Sequence, residues 1–567
     1  MQNEVIWDIK PLPEDAEIQK LSKAINTNPV ASALLLQRGI TDFDSAKTFF
    51  RPSLNSLHSP YLMKDMDTAA ERISKAIQNQ EPILIYGDYD VDGTTSVALV
   101  YRYLSNYHKK LDYYIPDRYE EGYGVSMQGV EWAHKNNFKL IVSLDCGIKG
   151  HEPIAHAREQ GMDFIVCDHH TPGESLPNAN AVLDPKRPDC DYPYKELSGC
   201  GVGFKLLQAV TAKMAWDESL LFEYLDLVAV SIAADIVPIT GENRILCYYG
   251  LEKLNNRPGV GLQALIKVAG LTPPLNVGNV VFGIAPRINA SGRIGHANEA
   301  VSLLVSNYPA EADRIASLIN TKNQIRRDTQ EEITHEALSI MADNEEYQNR
   351  KSAVLFKPDW HKGVIGIVAS KCVDVHYKPT IVLTESNGMV TGSARSVSGF
   401  DVHEAITLSS QWLDQFGGHK YAAGLSLKRE NLDAFVLAFE EAVSSTITPE
   451  QERRHITIDA EITLDLITYK FLEVLNQMAP FGPGNMQPTF MVRNVRVLKA
   501  TLLKKAHLKL SVEQNGAVFD AIGFSMPELY DQDLAEREMD IAFNIEENNF
   551  RGIRSIQLRL KDIKFTE

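Results

Sequence analysis

Cysteine is scarce in this chain. Six residues in 567 (Cys146, Cys167, Cys190, Cys200, Cys247 and Cys372) show no CxxC spacing. That excludes a zinc ribbon or disulfide scaffold and fits reduced thiols. Long apolar runs are also missing, since none approaches the roughly 20 residues of a membrane span. The N-terminus Met1-Gln2-Asn3-Glu4-Val5-Ile6-Trp7-Asp8 has neither the charged start nor the apolar core of a signal peptide. A soluble, cytoplasmic protein without a membrane partner is expected. There is no surplus of positive charge: 57 Lys and Arg against 74 Asp and Glu leave a formal net charge of −17. This argues against a globally basic nucleic-acid coat, but leaves room for a groove whose local field is positive. Repeats and low-complexity tracts are absent, and 44% hydrophobic with 23% charged residues is globular composition rather than disorder. A chain of 567 residues is too long for one core and should divide into three or four domains.

What is present has a clear order. Residues 1–55 read as a polar, helical N-terminal extension. From about 80 to 240, strand-like runs at 83–86, 140–144, 164–167 and 181–183 alternate with helix-length stretches such as 94–107 and 151–160. This alternation predicts an α/β domain over 56–310 with a doubly wound parallel sheet. Leu220 to Val237 reads as an apolar helix with Asp235 near its C-terminal end. Residues 311–350 lack Pro and Gly and predict a long connecting helix. A smaller α/β domain follows over 351–445, then a polar linker. Over 454–567, the runs at Ile456–Ile458, Phe490–Val497, Leu508–Leu510, Met539–Ile545 and Ile556–Leu560 predict a small β-barrel, the oligonucleotide-binding (OB) type being one candidate.

Three of the strand-like runs end in acids or histidines. Ile83-Leu84-Ile85 leads into Gly87-Asp88-Tyr89-Asp90-Val91-Asp92-Gly93. Leu140 to Leu144 ends at Asp145-Cys146-Gly147, and Phe164 to Cys167 ends at Asp168-His169-His170. In a parallel sheet these ends converge on one crevice. Several carboxylates cannot share a dry crevice unpaired, and divalent metal resolves the conflict. Taken singly, each element has a plainer reading. Asp-x-Asp-Gly is equally an ordinary turn, Asp145 with Gly147 is turn chemistry, and Asp235 is a last-turn residue reaching solvent. Cys146 and Cys167 read as small buried hydrophobes. Adjacent histidines after an acid are harder to dismiss: one can ligate while its neighbour acts on substrate, with Asp168 orienting a ring. Oxygen ligands with one or two histidines suit Mg²⁺ or Mn²⁺, and two such ions serve phosphoester hydrolysis.

These residues resemble the four motifs of the DHH phosphoesterase superfamily. The second α/β domain looks like its DHHA1 partner and carries Gly417-Gly418-His419-Lys420-Tyr421-Ala422-Ala423-Gly424. Within the superfamily the chain is similar to the RecJ family of bacterial single-strand-specific exonucleases over about residues 55–567, where the C-terminal domain is an OB-fold. The resemblance implies that Asp90, Asp92, Asp145, His169 and Asp235 hold two divalent ions, Mn²⁺ or Mg²⁺, with Asp145 as bridge. His170 would face the scissile phosphate. Many superfamily members have a metal-binding histidine where this chain has Tyr86, and Asp88 is the nearby acid that can compensate. The implied activity is 5′-to-3′ hydrolysis of single-stranded DNA to mononucleotides in recombination and repair. The implied partners are single-stranded DNA, a helicase and a single-strand-binding protein, and a monomer is expected.

On the substrate side, Ala285 to Arg293 reads as a cationic, Gly-containing loop offering Arg287 and Arg293. Gly363 to Lys371 reads as a Gly-opened helix start that includes Ser370. Thr391 to Ser396 with Arg395, and Gly418-His419-Lys420, supply amides, hydroxyls and cations suited to phosphate. Close helix packing and a solvated surface are the plainer readings. The basic stretch Arg551 to Lys564 reads either as a nucleic-acid contact or as a solvated barrel face. Two other functions share the chemistry or the fold. A short-oligonucleotide phosphodiesterase or pyrophosphatase would not need the C-terminal domain. A non-catalytic DNA-binding replication subunit would not need all four acidic motifs.

Overall fold

The computed structural model describes residues 5–530, 534–535, 537–550 and 552–565. They form two compact units. One comprises 44–325 together with Met478–Gln487, and the other comprises the chain up to Phe43, Arg326–Gln477 and the residues from Pro488 onward. The first strand of the chain, β1 (Ile6–Ile9), belongs to the latter.

The unit containing 44–325 is built on a five-stranded parallel sheet of β2 (Ile83–Gly87), β3 (Leu111–Tyr114), β4 (Leu140–Leu144), β5 (Asp163–Cys167) and β6 (Ala181–Leu183), in the order β3-β2-β4-β5-β6. Strands covered on both faces read as unbroken apolar runs, and β2 and β4 are buried throughout. Alternation splits them between two layers. Ile83 and Ile85 join the core that holds helices Val91–Ser105 and Gly199–Lys213. Leu84 and Tyr86 face helices Met127–Lys135 and His151–Glu159. Edge strand β3 escapes the sequence reading because only four residues pair and Asp112 is exposed. The chain runs from β2 out to β3, then back across β2 to β4. This topological switch point opens a crevice at the carboxyl ends of β2 and β4, where open α/β sheets bind ligands.

Two elements of this unit differ from expectation. The stretch 220–237 is two helices, Ser219–Phe222 and Leu225–Ala234, separated at Tyr224, whose backbone (φ −112, ψ 10) is not helical. Ala285–Ile294 is a helix rather than a loop. It continues directly from the helical turn Val280–Ile284, and its Ile288 and Ala290 are buried. The long helix spans Pro309–Asp343 and stops at Asn344, whose side chain accepts the Glu346 amide (2.8 Å) and starts a separate helix, Glu345–Asn349.

In the other unit, β7 (Ala353–Phe356), β8 (Thr380–Ser386), β9 (Met389–Arg395), β10 (Gln415–His419) and β11 (Ala422–Leu427) form a mixed sheet in the order β10-β11-β9-β8-β7. Only the β7–β8 pair is parallel. Strand β12 (His455–Ile458) pairs in parallel with β1, so Ile456–Ile458 lies outside the barrel in which it was expected. After β13 (Ala460–Glu461), the strands β14 (Phe490–Leu503), β15 (His507–Gln514), β16 (Ala517–Phe524), β17 (Glu538–Phe550) and β18 (Ile553–Phe565) close as β14-β15-β16-β18-β17-β14. Closure leaves this five-stranded barrel without free edges. Leu508, Leu510 and Val512 alternate into its core.

Candidate metal centre

The crevice at the ends of β2 and β4 is lined by the motif residues, and glycine packing sets their geometry. After β2 the chain folds back so tightly that a Cβ on Gly93 would lie 2.4 Å from the Asp88 carbonyl oxygen. Asp90 caps the helix Val91–Ser105, accepting the Gly93 amide at 3.0 Å. Asp92, in the first turn of that helix, accepts three hydrogen bonds. Its Oδ2 accepts the Gly199 amide (2.7 Å), and its Oδ1 accepts the Cys200 amide (2.8 Å) and the Ser231 hydroxyl (2.7 Å). Because Gly199 and Cys200 begin the helix Gly199–Lys213, that helix's N-terminus supports the Asp92 charge. Asp145 stands at the end of β4 with φ +59, and a Cβ on Gly199 would come within 2.6 Å of its Cβ.

Asp168, beyond β5, orients both histidines. Its Oδ1 accepts the His169 and His170 amides (2.8 and 3.2 Å) and pairs with His170 Nδ1 at 2.7 Å, while Oδ2 accepts the Ile148 amide. His169 Nε2 faces three carboxylates: Asp145 at 3.1 Å, Asp235 at 3.5 Å and Asp92 at 3.7 Å. Candidate donor atoms of Asp145, His169 and His170 lie within 4.8 Å of one another, as do those of Asp92, His169 and Asp235. Asp235 caps the helix Leu225–Ala234 at its C-terminal end and is half-buried, so the last-turn position and the approach to His169 hold together.

Buried polar atoms normally find partners. Here both oxygens of Asp88, Oδ1 of Asp145 and both ring nitrogens of His169 are buried without one. The amides of Tyr89 and Gly124 lie close enough to Asp88 only to favour its charge. Burial, then the charge of Asp90, pushes Asp88 well above the usual carboxylate range, and burial, then the charges of Asp92 and Asp90, does the same to Asp145. The same causes raise Asp235 to about 8, and burial holds His169 below its ordinary value. For His170, burial opposes the charged form, but the Asp168 hydrogen bond and the surrounding carboxylates outweigh it and raise the ring to about 9. Three carboxylates converging on a buried imidazole, with unpartnered donor atoms on Asp145 and His169, suit a bound divalent cation, and the oxygen-rich donor set fits Mn²⁺ or Mg²⁺.

Tyr86 stands outside this set. It is buried in the opposite layer, stacks on Tyr114 at 5.4 Å, donates to the Gly124 carbonyl (3.2 Å) and accepts the Ser126 amide (3.1 Å). Two residues escaped the sequence reading. Asp184 follows β6 as the other acids follow β2, β4 and β5, and burial raises it to about 7. Its place after the apolar run 181–183 was the available signal. Tyr123 lies on the 115–126 connection, which carries no periodicity; its hydroxyl donates to the Asp145 carbonyl (3.2 Å) and lies 3.1 Å from His170 Nε2.

Among the substrate-side candidates, Arg287 joins its helix to the long helix by donating to Asn320 (2.9 Å) and the Gly283 carbonyl (2.6 Å). The Arg293 carbonyl accepts from Tyr119 at 2.5 Å. The remaining four belong to the other unit. Ser370 bonds back to Gly366 within its own helix (3.2 Å). Arg395, the last residue of β9, donates to Ser393 and to the Ala394 carbonyl (both 2.7 Å). Gly418 and His419 lie on the exposed edge strand β10, where a Cβ on Gly418 would come 2.4 Å from the Ala422 carbonyl oxygen.

Known families cover most of the chain. The DHH family, N-terminal domain, matches residues 82–232, the DHHA1 domain matches 330–445, and the RecJ OB domain matches 458–562. The chain is 36% identical to the single-stranded-DNA-specific exonuclease RecJ of Bacillus subtilis, over 99% of this chain and 71% of that protein. This chain belongs to the RecJ family. Its relative of the same description in Escherichia coli is 33% identical over 88% of this chain and 90% of that one. Among solved structures, RecJ of Thermus thermophilus in complex with Mn²⁺ superposes with a TM-score of 0.87 at 28% identity, covering all of this chain and 80% of that one. An exonuclease RecJ bound to manganese matches with a TM-score of 0.61 at 33% identity, covering 70% of this chain and 98% of that one. Among the described residues, no helix is long and apolar enough to cross a membrane.

Proposed function

We propose that this RecJ-family chain is a metal-dependent exonuclease that degrades single-stranded DNA from its 5′ end to mononucleotides. The observation that carries the reading is the set of buried, unpartnered donor atoms on Asp88, Asp145 and His169. The single-stranded-DNA specificity printed for its relatives supports the choice of substrate. Asp88, Asp90, Asp92, Asp145, His169 and Asp235 would hold two ions, with Asp145 between them. When bound, Mn²⁺ or Mg²⁺ supplies an activated water nucleophile and offsets negative charge building up on the phosphate.

The chain's own groups do the rest. Asp92 is held by two helix-terminal amides and a serine hydroxyl, so its position costs no reorganisation during the reaction. Asp168 fixes the His170 ring and favours its protonated form, which makes His170 the proton donor toward a phosphate oxygen. Arg287, Arg293, Ser370, Arg395, Gly418 and His419 are the proposed phosphate contacts, and a closed barrel of the OB type adds a surface for single strands. That barrel disfavours a dinucleotide phosphodiesterase, since a small substrate needs no such module. An enzyme restricted to single strands depends on a reaction that separates duplex. We therefore propose a helicase as a partner, and further propose a single-strand-binding protein as partner and a monomeric, cytoplasmic enzyme.

With Mn²⁺, 5′-labelled single-stranded DNA should yield labelled mononucleotide as the first product, and blunt duplex should persist. Equal turnover of duplex, or turnover confined to dinucleotides, would overturn the reading.

A further inference from the structure

The turn that follows Asp235 is held in place from far along the chain. Ile236, directly after Asp235, has φ +60 and is 66% exposed. A β-branched residue in the left-handed region is strained, and such strain persists only where the surroundings over-determine the backbone. An exposed side chain supplies no burial to offset it. The anchors must lie in the residues that follow.

Three are present. The Pro238 carbonyl accepts from the Tyr194 hydroxyl (3.0 Å) and from Asn243 Nδ2 (3.0 Å). The third is the Ile239 amide, which donates to the Pro483 carbonyl at 2.7 Å. Pro483 lies in Met478–Gln487, the piece of the C-terminal half that belongs to the same compact unit as Asp235. The fit there is close. A Cβ on Gly482 would lie 2.5 Å from Ile239 Cδ1, and a Cβ on Gly484 would lie 2.9 Å from Thr240 Cγ2.

The segment is itself locked. Gly482 and Asn485 exchange backbone hydrogen bonds (3.0 and 2.9 Å), and the buried Asn485 side chain donates to the Met478 and Pro480 carbonyls (both 2.9 Å). Arg244 ties it to the body of the unit, donating to the Met478 carbonyl (2.9 Å) and to the Phe49 carbonyl (3.1 Å), with its guanidinium over the Phe49 ring.

We propose that Met478–Gln487 is a brace for the metal centre: by fixing the 236–240 turn it sets the position of the Asp235 carboxylate, and Asn485 is a positioning residue for metal binding. The inference rests on Asp235 being a metal ligand. Asn485→Ala removes both side-chain bonds that shape the brace. It should weaken Mn²⁺ binding, read by calorimetry or by electron paramagnetic resonance of free Mn²⁺, by about tenfold, the low end of what losing an outer-shell partner costs. In an Asp235→Asn background the same substitution should cause no further loss.

An Asn485→Ala protein that folds and binds Mn²⁺ as tightly as the parent overturns the brace, as does a loss that simply adds to that of Asp235→Asn. If Asp235→Asn alone leaves the Mn²⁺ isotherm unchanged, the ligand assignment fails and the inference with it. Should Asn485→Ala fail to fold by circular dichroism, Gly484→Ala, whose Cβ would press on Thr240 Cγ2 at 2.9 Å and disturb the contact between brace and turn, carries the same two tests.

Discussion

Asp145 concentrates the conflict that a bound metal would resolve. It is buried, crowded by Asp90 and Asp92, and held at a positive φ. Asp145→Ala should abolish detectable turnover and Mn²⁺ binding. It should also raise the thermal midpoint of the protein in EDTA, because it removes a buried carboxyl with an unpartnered oxygen. Retained turnover would sink the bridging role, and a lowered midpoint in EDTA would show that the carboxyl is not the source of strain. Asp235 makes a related prediction about pH. Burial and the charges of Asp92 and Asp90 raise its carboxyl to about 8 in the metal-free fold, whereas an unfolded chain titrates it near about 4. The folded state therefore binds more protons across that window, and its contribution to stability declines as pH rises from about 4 to 8. In EDTA, Asp235→Asn should flatten the fall in thermal midpoint between the acidic and alkaline ends of the window. An unchanged slope would show that Asp235 is ionised without metal.

At the scale of elements, glycines decide how closely the motif-bearing strand ends approach. The helix Gly199–Lys213 begins against Asp145, with room for no Cβ at Gly199. Gly199→Ala should push the helix terminus off Asp92 and Asp145 together, lowering both thermal stability and Mn²⁺ affinity; normal affinity would show that the site tolerates the shift. This helix also marks where the sequence stops being legible. Buried parallel strands advertise themselves as apolar runs, so β2, β4, β5 and the acids after them could be read directly. Asp88, Asp145 and His169 are legible in the sequence as candidates, and so is the departure at Tyr86. Ser198 and Ser231, which help to hold Asp92, carry no such signal, since their roles arise from the packing of separate helices. Ala285–Ile294 was misread because Pro, Asn, Ser and Gly together suggest a loop, while tertiary burial of Ile288 and Ala290 favours a helix. In the second sheet, Thr391–Ser396 and Gly418-His419-Lys420 read as sources of amides for phosphate, yet the residues up to Arg395 and His419 pair in strands β9 and β10.

For the whole molecule, metal should act as a stabilising ligand of the native state. Mn²⁺ at about a hundred times its dissociation constant contributes about 2.7 kcal/mol, a rise in thermal midpoint on the order of 5 °C for a unit of this size. The gain should vanish in Asp145→Ala, and a midpoint insensitive to Mn²⁺ in the parent would argue against a shared high-affinity site. The second consequence concerns time. The body of the metal-bearing unit ends at Ile325, and its last piece begins at Met478, 478 − 325 = 153 positions later. A ribosome adding about 5–20 residues per second needs roughly 8–30 s to cover that interval. During that interval the acids and histidines are already made, but the turn beyond Asp235 lacks its support. A chain assembled in this order carries its acids and histidines alongside an unbraced turn until Met478–Gln487 has been made.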